Sequence, residues 1–169
     1  MTVTYRTAGP DDAEALARLG AATFSDTFGH LYDPADLALF LQSHTSANWA
    51  RELSDPAFSV RVAEQDAALV GYAKLGPPKL PFEPRGNAAE LRQLYVVEAC
   101  KGQGVAATLM DWVIDRARDL RADHLYLSVF TDNPRARRFY EKLGFEAEGT
   151  YAFMVGNHAD EDIVMRLKL

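Results

Sequence analysis

Cysteine occurs once in this chain, at Cys100, so no internal disulfide can form. A reducing compartment is the expectation, and packing alone must hold the fold. Basic residues are in the minority: 18 Lys and Arg against 24 Asp and Glu leave a net charge of -6. Neutralising phosphates needs a basic face, so this balance argues against a nucleic-acid partner and mildly favours a cationic substrate. The four histidines, His30, His44, His124 and His158, show no ligand spacing such as H-x-x-x-H, and no metal is expected. No run of about 18 apolar residues exists, so no membrane span is expected. Met1 to Arg6 lack the apolar stretch of a signal peptide, and the expected location is cytoplasmic.

What is present suits one domain spanning residues 1–169, with 48% hydrophobic residues to fill a core. Val3–Arg6 reads as a strand, and Pro10 starts a helix through about Ala22. Asp33 followed by Pro34 signals a second helix, and Ser46–Leu53 a third. Phe58–Glu64 and Leu69–Leu75 are extended runs joined at Gln65-Asp66-Ala67, a hairpin. The stretch from Pro77 to Asn87 holds four prolines and must be a loop. Glu90–Val97 is the next strand. A long helix follows, with Val105, Leu109, Trp112, Val113 and Leu120 on its buried face. His124–Phe130 is a strand and Pro134–Leu143 a helix. Extended segments around Ala147–Val155 and Ile163–Leu169 close the chain, joined by Gly156-Asn157-His158. The order predicts a mixed α/β fold.

Between the strand ending at Val97 and the long helix lies Lys101-Gly102-Gln103-Gly104-Val105-Ala106. Glycines let main chain approach a ligand closely, and the free N–H groups of a helix start make an anion site. That is what holding a pyrophosphate requires. Gly102 to Ala107 also satisfies the dinucleotide fingerprint G-x-G-x-x-A. That fingerprint belongs in the first βα unit of a parallel sheet, whereas here it follows an antiparallel hairpin past mid-chain. A glycine turn that merely starts a core helix is the plainer alternative.

Further on, Asn133 through Phe145 forms a helix that stops at Gly144. Taken with Leu94-Tyr95-Val96 and the glycine loop, in this order and spacing, the sequence resembles the GNAT superfamily of N-acetyltransferases. It departs from the usual pattern at Lys101, commonly Arg or Gln, and at Glu98, commonly Pro. The resemblance implies a single domain around a mixed, mostly antiparallel sheet that is splayed at the cofactor site and flanked by helices. It implies acetyl-CoA as co-substrate, with Leu94, Tyr95 and Val96 lining the pantetheine and acetyl group. Lys101, Gly102, Gln103, Gly104, Val105, Ala106 and Ala107 would hold the pyrophosphate. Asn133 would meet the pantetheine arm or the thioester end, and Tyr140 would be the general acid.

A primary amine of pKa ~10.4 is protonated at neutral pH, so acetyl transfer needs a proton acceptor as well as an acid for the leaving thiolate. Glu90 stands where some family members carry a catalytic glutamate. Period-two alternation places it on one face with Arg92, Leu94 and Val96, and Arg92 is expected to lower its pKa. Arg135, Arg137, Arg138 and Lys142 either meet cofactor phosphates or form a solvated helix face. Cys100 is expected to be buried and inert, and Trp49 and Trp112 to be core.

Seven acids lie between Asp26 and Asp66, against Arg51 and Arg61, an excess that suits a polycation. Thr23 to Phe28, Tyr151 to Gly156 and Asp160 to Met165 resemble the PaiA-type spermine/spermidine acetyltransferases, which implies a polyamine substrate. A homodimer is consistent with superfamily precedent. The competing reading is a non-catalytic acyl-CoA-binding sensor, which needs the glycine loop but neither Tyr140 nor Glu90.

Overall fold

The computed structural model describes residues 2–42 and 44–169, without the side chains of Thr27 and Tyr151, which fall in segments quoted for the PaiA-type resemblance. Strand β1 (Thr4–Thr7) leads through a short 3-10 turn into α1 (Ala13–Phe28). Arg6 ties that turn down by pairing with Asp12 at 2.8 Å and with Glu64. Helix α1 runs on past Ala22, where the sequence suggests a stop. Thr23, a poor helix former, is satisfied inside it, donating its hydroxyl to the Leu19 carbonyl at 2.7 Å. Phe24 then stacks among Phe28, Tyr32 and Phe40, giving the added turn a buried partner.

Helices α2 (Pro34–Leu41) and α3 (Ser46–Leu53) begin where their caps predict. Asp33 accepts the Ala35 N–H at 2.9 Å, and Thr45 accepts the Asn48 N–H at 3.2 Å. Strands β2 (Ser59–Gln65) and β3 (Ala68–Gly76) form the expected hairpin, with Asp66 and Ala67 both at positive φ in its tight turn. Then come β4 (Ala88–Val96), α4 (Val105–Asp119), β5 (His124–Phe130), α5 (Pro134–Lys142), β6 (Glu146–Val155) and β7 (His158–Lys168). Two expectations change here. Leu120 lies beyond the last turn of α4 and is 47% exposed instead of belonging to its buried face. Strand β7 starts at His158, not Ile163, because its acidic first half pairs in register with β6, Val155 opposite His158 and Phe153 opposite Asp160.

The seven strands form one sheet in the order β1-β2-β3-β4-β5-β7-β6. Every neighbouring pair is antiparallel except β4 and β5, which are parallel. One face packs on α4, burying Leu109, Met110 and Val113 against Ala73, Leu91, Leu127 and Met165. The other face takes α1 and α3, with Leu16, Trp49 and Tyr72 at its centre. Cys100 is buried in the first core, and Trp49 in the second, as expected; Trp112 is only partly buried. Among the described residues, no helix is long and apolar enough to cross a membrane.

Candidate active site

Strands β4 and β5 pair over only Ala88–His124, Ala89–Leu125 and Glu90–Tyr126. Beyond that rung β4 continues to Val96 and β5 to Phe130 with no ladder between them, so the sheet opens into a cleft. A β-bulge adds to the divergence. Lys74 faces Gln93 but Leu75 faces Leu91, leaving Arg92 as the extra residue of β4.

The bulge corrects the simple alternation. Register places Leu91, Leu94 and Val96 opposite Leu75, Ala73 and Gly71, on the α4 face. Glu90, Gln93 and Tyr95 lie opposite Gly76, Lys74 and Tyr72, on the α1 face. Glu90 therefore does not share a face with Leu94 and Val96, although Arg92 stays beside it at 3.8 Å. Of the three residues expected to line the cofactor arm, Tyr95 thus points to the opposite side from Leu94 and Val96.

At the open end of the cleft sits the glycine loop. Gly102 and Gly104 have φ of 80° and 82°, and a Cβ built on either meets nothing within 4 Å. Both conformations favour glycine, and the space over them is clear. Lys101 N–H is used by the Glu98 carbonyl, but Gly102 to Ala107 give their N–H groups to no acceptor among the described residues. Six consecutive main-chain donors thus surround the positive end of α4. The Lys101 ammonium pairs with Glu98 at 2.9 Å, and Arg135 adds to the field that keeps the Glu98 carboxyl below its usual range. The one parallel strand pair in a mostly antiparallel sheet does not make the doubly wound frame that a dinucleotide fingerprint requires.

Helix α5 carries Asn133 at its start and Tyr140 in its last turn, where the ring joins the core on the α4 face. Asn133 is the N-cap of the helix, its carboxamide oxygen accepting the Ala136 N–H at 3.3 Å. Asn133→Ala is expected to cost about 1 kcal/mol of stability, measurable by urea unfolding. Tyr140 is buried, its ring against Phe139 and Phe145, and its hydroxyl has no hydrogen-bond partner among the described residues. Burial, with a smaller push from Tyr95, moves its pKa well up, so the phenol keeps its proton at neutral pH. The Tyr95 ring packs edge to face on Tyr72 at 5.5 Å, and its phenol adds a smaller push to the raised pKa of Tyr32, Tyr72 and Tyr140.

The proline-rich loop of residues 77–87 is strapped over the closed end. Glu90 Oε1 accepts the Lys79 N–H at 2.6 Å, Tyr126 accepts the Arg85 N–H at 3.0 Å, and Arg92 donates twice to the Pro77 carbonyl. Glu90 is 7% exposed. Burial raises its pKa, outweighing the lowering by the Lys79 N–H and by Arg92, so the expected net lowering does not occur.

Several residues of the α1 face were not singled out from the sequence. Asp160 and Asp162 are both buried on β7; Asp160 bonds to the Tyr32 hydroxyl and to His158 Nε2 at 3.0 Å. The Asp162 carboxyl is raised to about 6, first by burial and then by the charge of Asp160. Asp160-Glu161-Asp162 run directly into the apolar Ile163-Val164-Met165, and period two puts Asp160 and Asp162 on one face of the strand. By contrast, the acid excess between Asp26 and Asp66 is largely structural: Asp33 is a cap, Glu52 pairs with Lys74 at 3.0 Å, and Glu64 pairs with Arg6. A folded-state carboxyl pKa above its unfolded value means stability is full below about pH 4 and falls as pH rises to about 6. Asp162→Asn is therefore expected to stabilise the fold by about 1–3 kcal/mol at pH 8, allowing for screening, and by almost nothing at pH 4. Thermal melts at the two pH values check this. A separate groove lined by Thr7, Ser54, Phe58, Trp112, Arg116 and Asp119 shares no residue with the cleft.

The profile of the Acetyltransferase (GNAT) family matches residues 21–145. An uncharacterized N-acetyltransferase of Mycobacterium tuberculosis is 36% identical over 91% of this chain and 96% of its own length. The L-amino acid N-acetyltransferase AaaT of Escherichia coli is 34% identical over 71% of this chain and 75% of its own. Among solved structures, the PaiA N-acetyltransferase of Thermoplasma acidophilum, in complex with coenzyme A, superposes with a TM-score of 0.81 at 20% identity, covering 100% of both chains. A splayed β4–β5 pair, a bare glycine loop at the start of α4, and a family match over most of the length lead to one conclusion: the chain belongs to the GNAT family of N-acetyltransferases.

Proposed function

We propose that the protein moves an acetyl group from acetyl-CoA to a primary amine, a polyamine such as spermidine being the substrate. The observation that carries the reading is the run of N–H groups from Gly102 to Ala107 without acceptors among the described residues, with open space over Gly102 and Gly104. These donors suit a diphosphate, with Lys101 and Arg135 adding positive charge nearby. Leu94 and Val96 line the pantetheine arm on the α4 side, Tyr95 spans the cleft, and Asn133 borders it. That the PaiA relative of similar fold was solved with coenzyme A supports this placement.

In the transfer, the amine nitrogen attacks the thioester carbonyl carbon and the carbon–sulfur bond breaks. The ammonium proton passes to Glu90, whose Oε1 accepts the Lys79 N–H and whose burial raises its pKa and so its basicity. Tyr140, which burial keeps protonated, gives its proton to the departing thiolate, and the second proton shed by the attacking nitrogen restores the phenol. Polyamine is favoured over an amino acid because the α1 face presents Glu90, Asp160 and Asp162, which would repel a substrate carboxylate.

The test mixes protein, acetyl-CoA and a panel of spermidine, spermine and L-amino acids, following free thiol and product mass. Amine-dependent thiol release, largest with the polyamines, is expected. Tight acetyl-CoA binding with no amine-dependent release would support the sensor reading instead.

A further inference from the structure

The α1 face of the sheet holds a buried carboxylate without a partner. Asp162 is 7% exposed, and among the described residues it makes no hydrogen bond and no ion pair. Yet its oxygens are not sealed: the one buried, unpartnered side-chain polar atom among the described residues is Ser128 Oγ. Asp162 therefore looks into an opening. Ser128 lies on the same face of the neighbouring strand, opposite Val164, and Phe130 lies opposite Asp162 itself.

The surroundings are suited to a cation. Asp160 stands two residues away on the same face, held by Tyr32 and His158. Phe130 meets Phe28 edge to face at 6.4 Å, and Tyr32 meets His158 at 5.4 Å, so aromatic rings flank the acids. The cations that these strands turn inward on this face are all engaged: Lys74 by Glu52, Arg92 by the Pro77 carbonyl and Arg166 by Glu148. An unpaired buried carboxylate is costly, so a fold that retains one points to a charge arriving from outside.

Spacing gives the acid its role. Glu90 sits on the rung with Tyr126, and Asp162 on the rung with Phe130. Four residues of extended strand separate these rungs, about 13 Å. We infer that Asp162, backed by Asp160 and Tyr32, receives the remote ammonium of a polyamine whose reacting nitrogen lies at the Glu90 end of the cleft. This inference rests on the acetyl-transfer reading above and assigns its specificity to one carboxylate. A charge-assisted contact of this kind is worth about 1.5–3 kcal/mol, or roughly 10- to 100-fold in affinity.

The experiment compares wild type with Asp162→Asn on two substrates, spermidine and an alkyl monoamine of equal chain length. For spermidine, kcat/KM is expected to fall about 10- to 100-fold through KM, while the monoamine changes less than about twofold. A merely structural role would lower both substrates together, and that result overturns the inference, as does an unchanged KM for spermidine. If wild type acetylates no amine, the acetyl-transfer reading fails separately, and calorimetry of spermidine with the CoA-loaded protein still decides the pocket. Heat in wild type that is lost in Asp162→Asn supports it; no heat in wild type overturns it.

Discussion

Replacing Tyr140 by phenylalanine is expected to lower kcat by about 10²–10⁴-fold while leaving the affinity for acetyl-CoA unchanged. The substitution is clean because the hydroxyl has no partner among the described residues to strand. The ring keeps its edge-on packing at 5.2 Å from Phe139 and 5.8 Å from Phe145. Deleting a hydroxyl that bonds to no described residue leaves none of those groups unsatisfied, so the melting temperature should hold. What disappears is the proton for the thiolate. The loss therefore belongs to the chemical step and appears in single-turnover measurements with saturating amine. A variant that turns over at the wild-type rate would remove Tyr140 from the reaction.

The second large effect is expected at the loop. Gly104→Asp should weaken acetyl-CoA binding by at least about 10²-fold, as charge-assisted hydrogen bonds of about 1.5–3 kcal/mol are lost and a like charge meets the diphosphate. Because Gly104 holds φ at 82°, any side chain also strains the backbone by about 1–2 kcal/mol. Gly104→Ala carries the strain without the charge, so the difference between the two variants isolates the electrostatic part. Calorimetric titration with acetyl-CoA measures both. Equal affinities for the aspartate and alanine variants would place the diphosphate elsewhere.

Local signals made most of the fold legible. Asp33-Pro34 marks a helix start by satisfying a free N–H group, and the structure uses it. The glycine loop could be read because positive φ restricts residue choice so strongly. Legibility failed where a tertiary partner decided the outcome. Helix α1 continues through Thr23 because Phe24 finds Phe40 at 4.4 Å, a contact that no local pattern announces. The first half of β7 looks like a polar loop, since the reason to bury Asp160 and Asp162 lies across the sheet in Tyr32 and Phe130. The bulge at Arg92 was equally hidden. One extra residue inverted the face of everything after it, so that Glu90 keeps company with Tyr95 and not with Leu94.

At the site, the glycine loop, Tyr140 and Glu90 are expectations from motif and resemblance; the fold puts the loop at the start of α4, Tyr140 in the core on the α4 face and Glu90 on the last paired rung of β4 and β5. The acids of the N-terminal half were a poorer guide. Counting charge along the chain could not separate Asp33, a cap, from Asp162, a buried carboxylate on the α1 face without a partner among the described residues. Burial and pairing make that distinction, and both are properties of the folded state.

The most direct measurement of the coenzyme site is an amide NMR titration of the isotope-labelled protein with acetyl-CoA. The largest shift changes should fall on Gly102, Gln103, Gly104, Val105, Ala106 and Ala107, the N–H groups left without acceptors. Saturation with these six resonances unmoved, and the changes gathered elsewhere, would contradict the account.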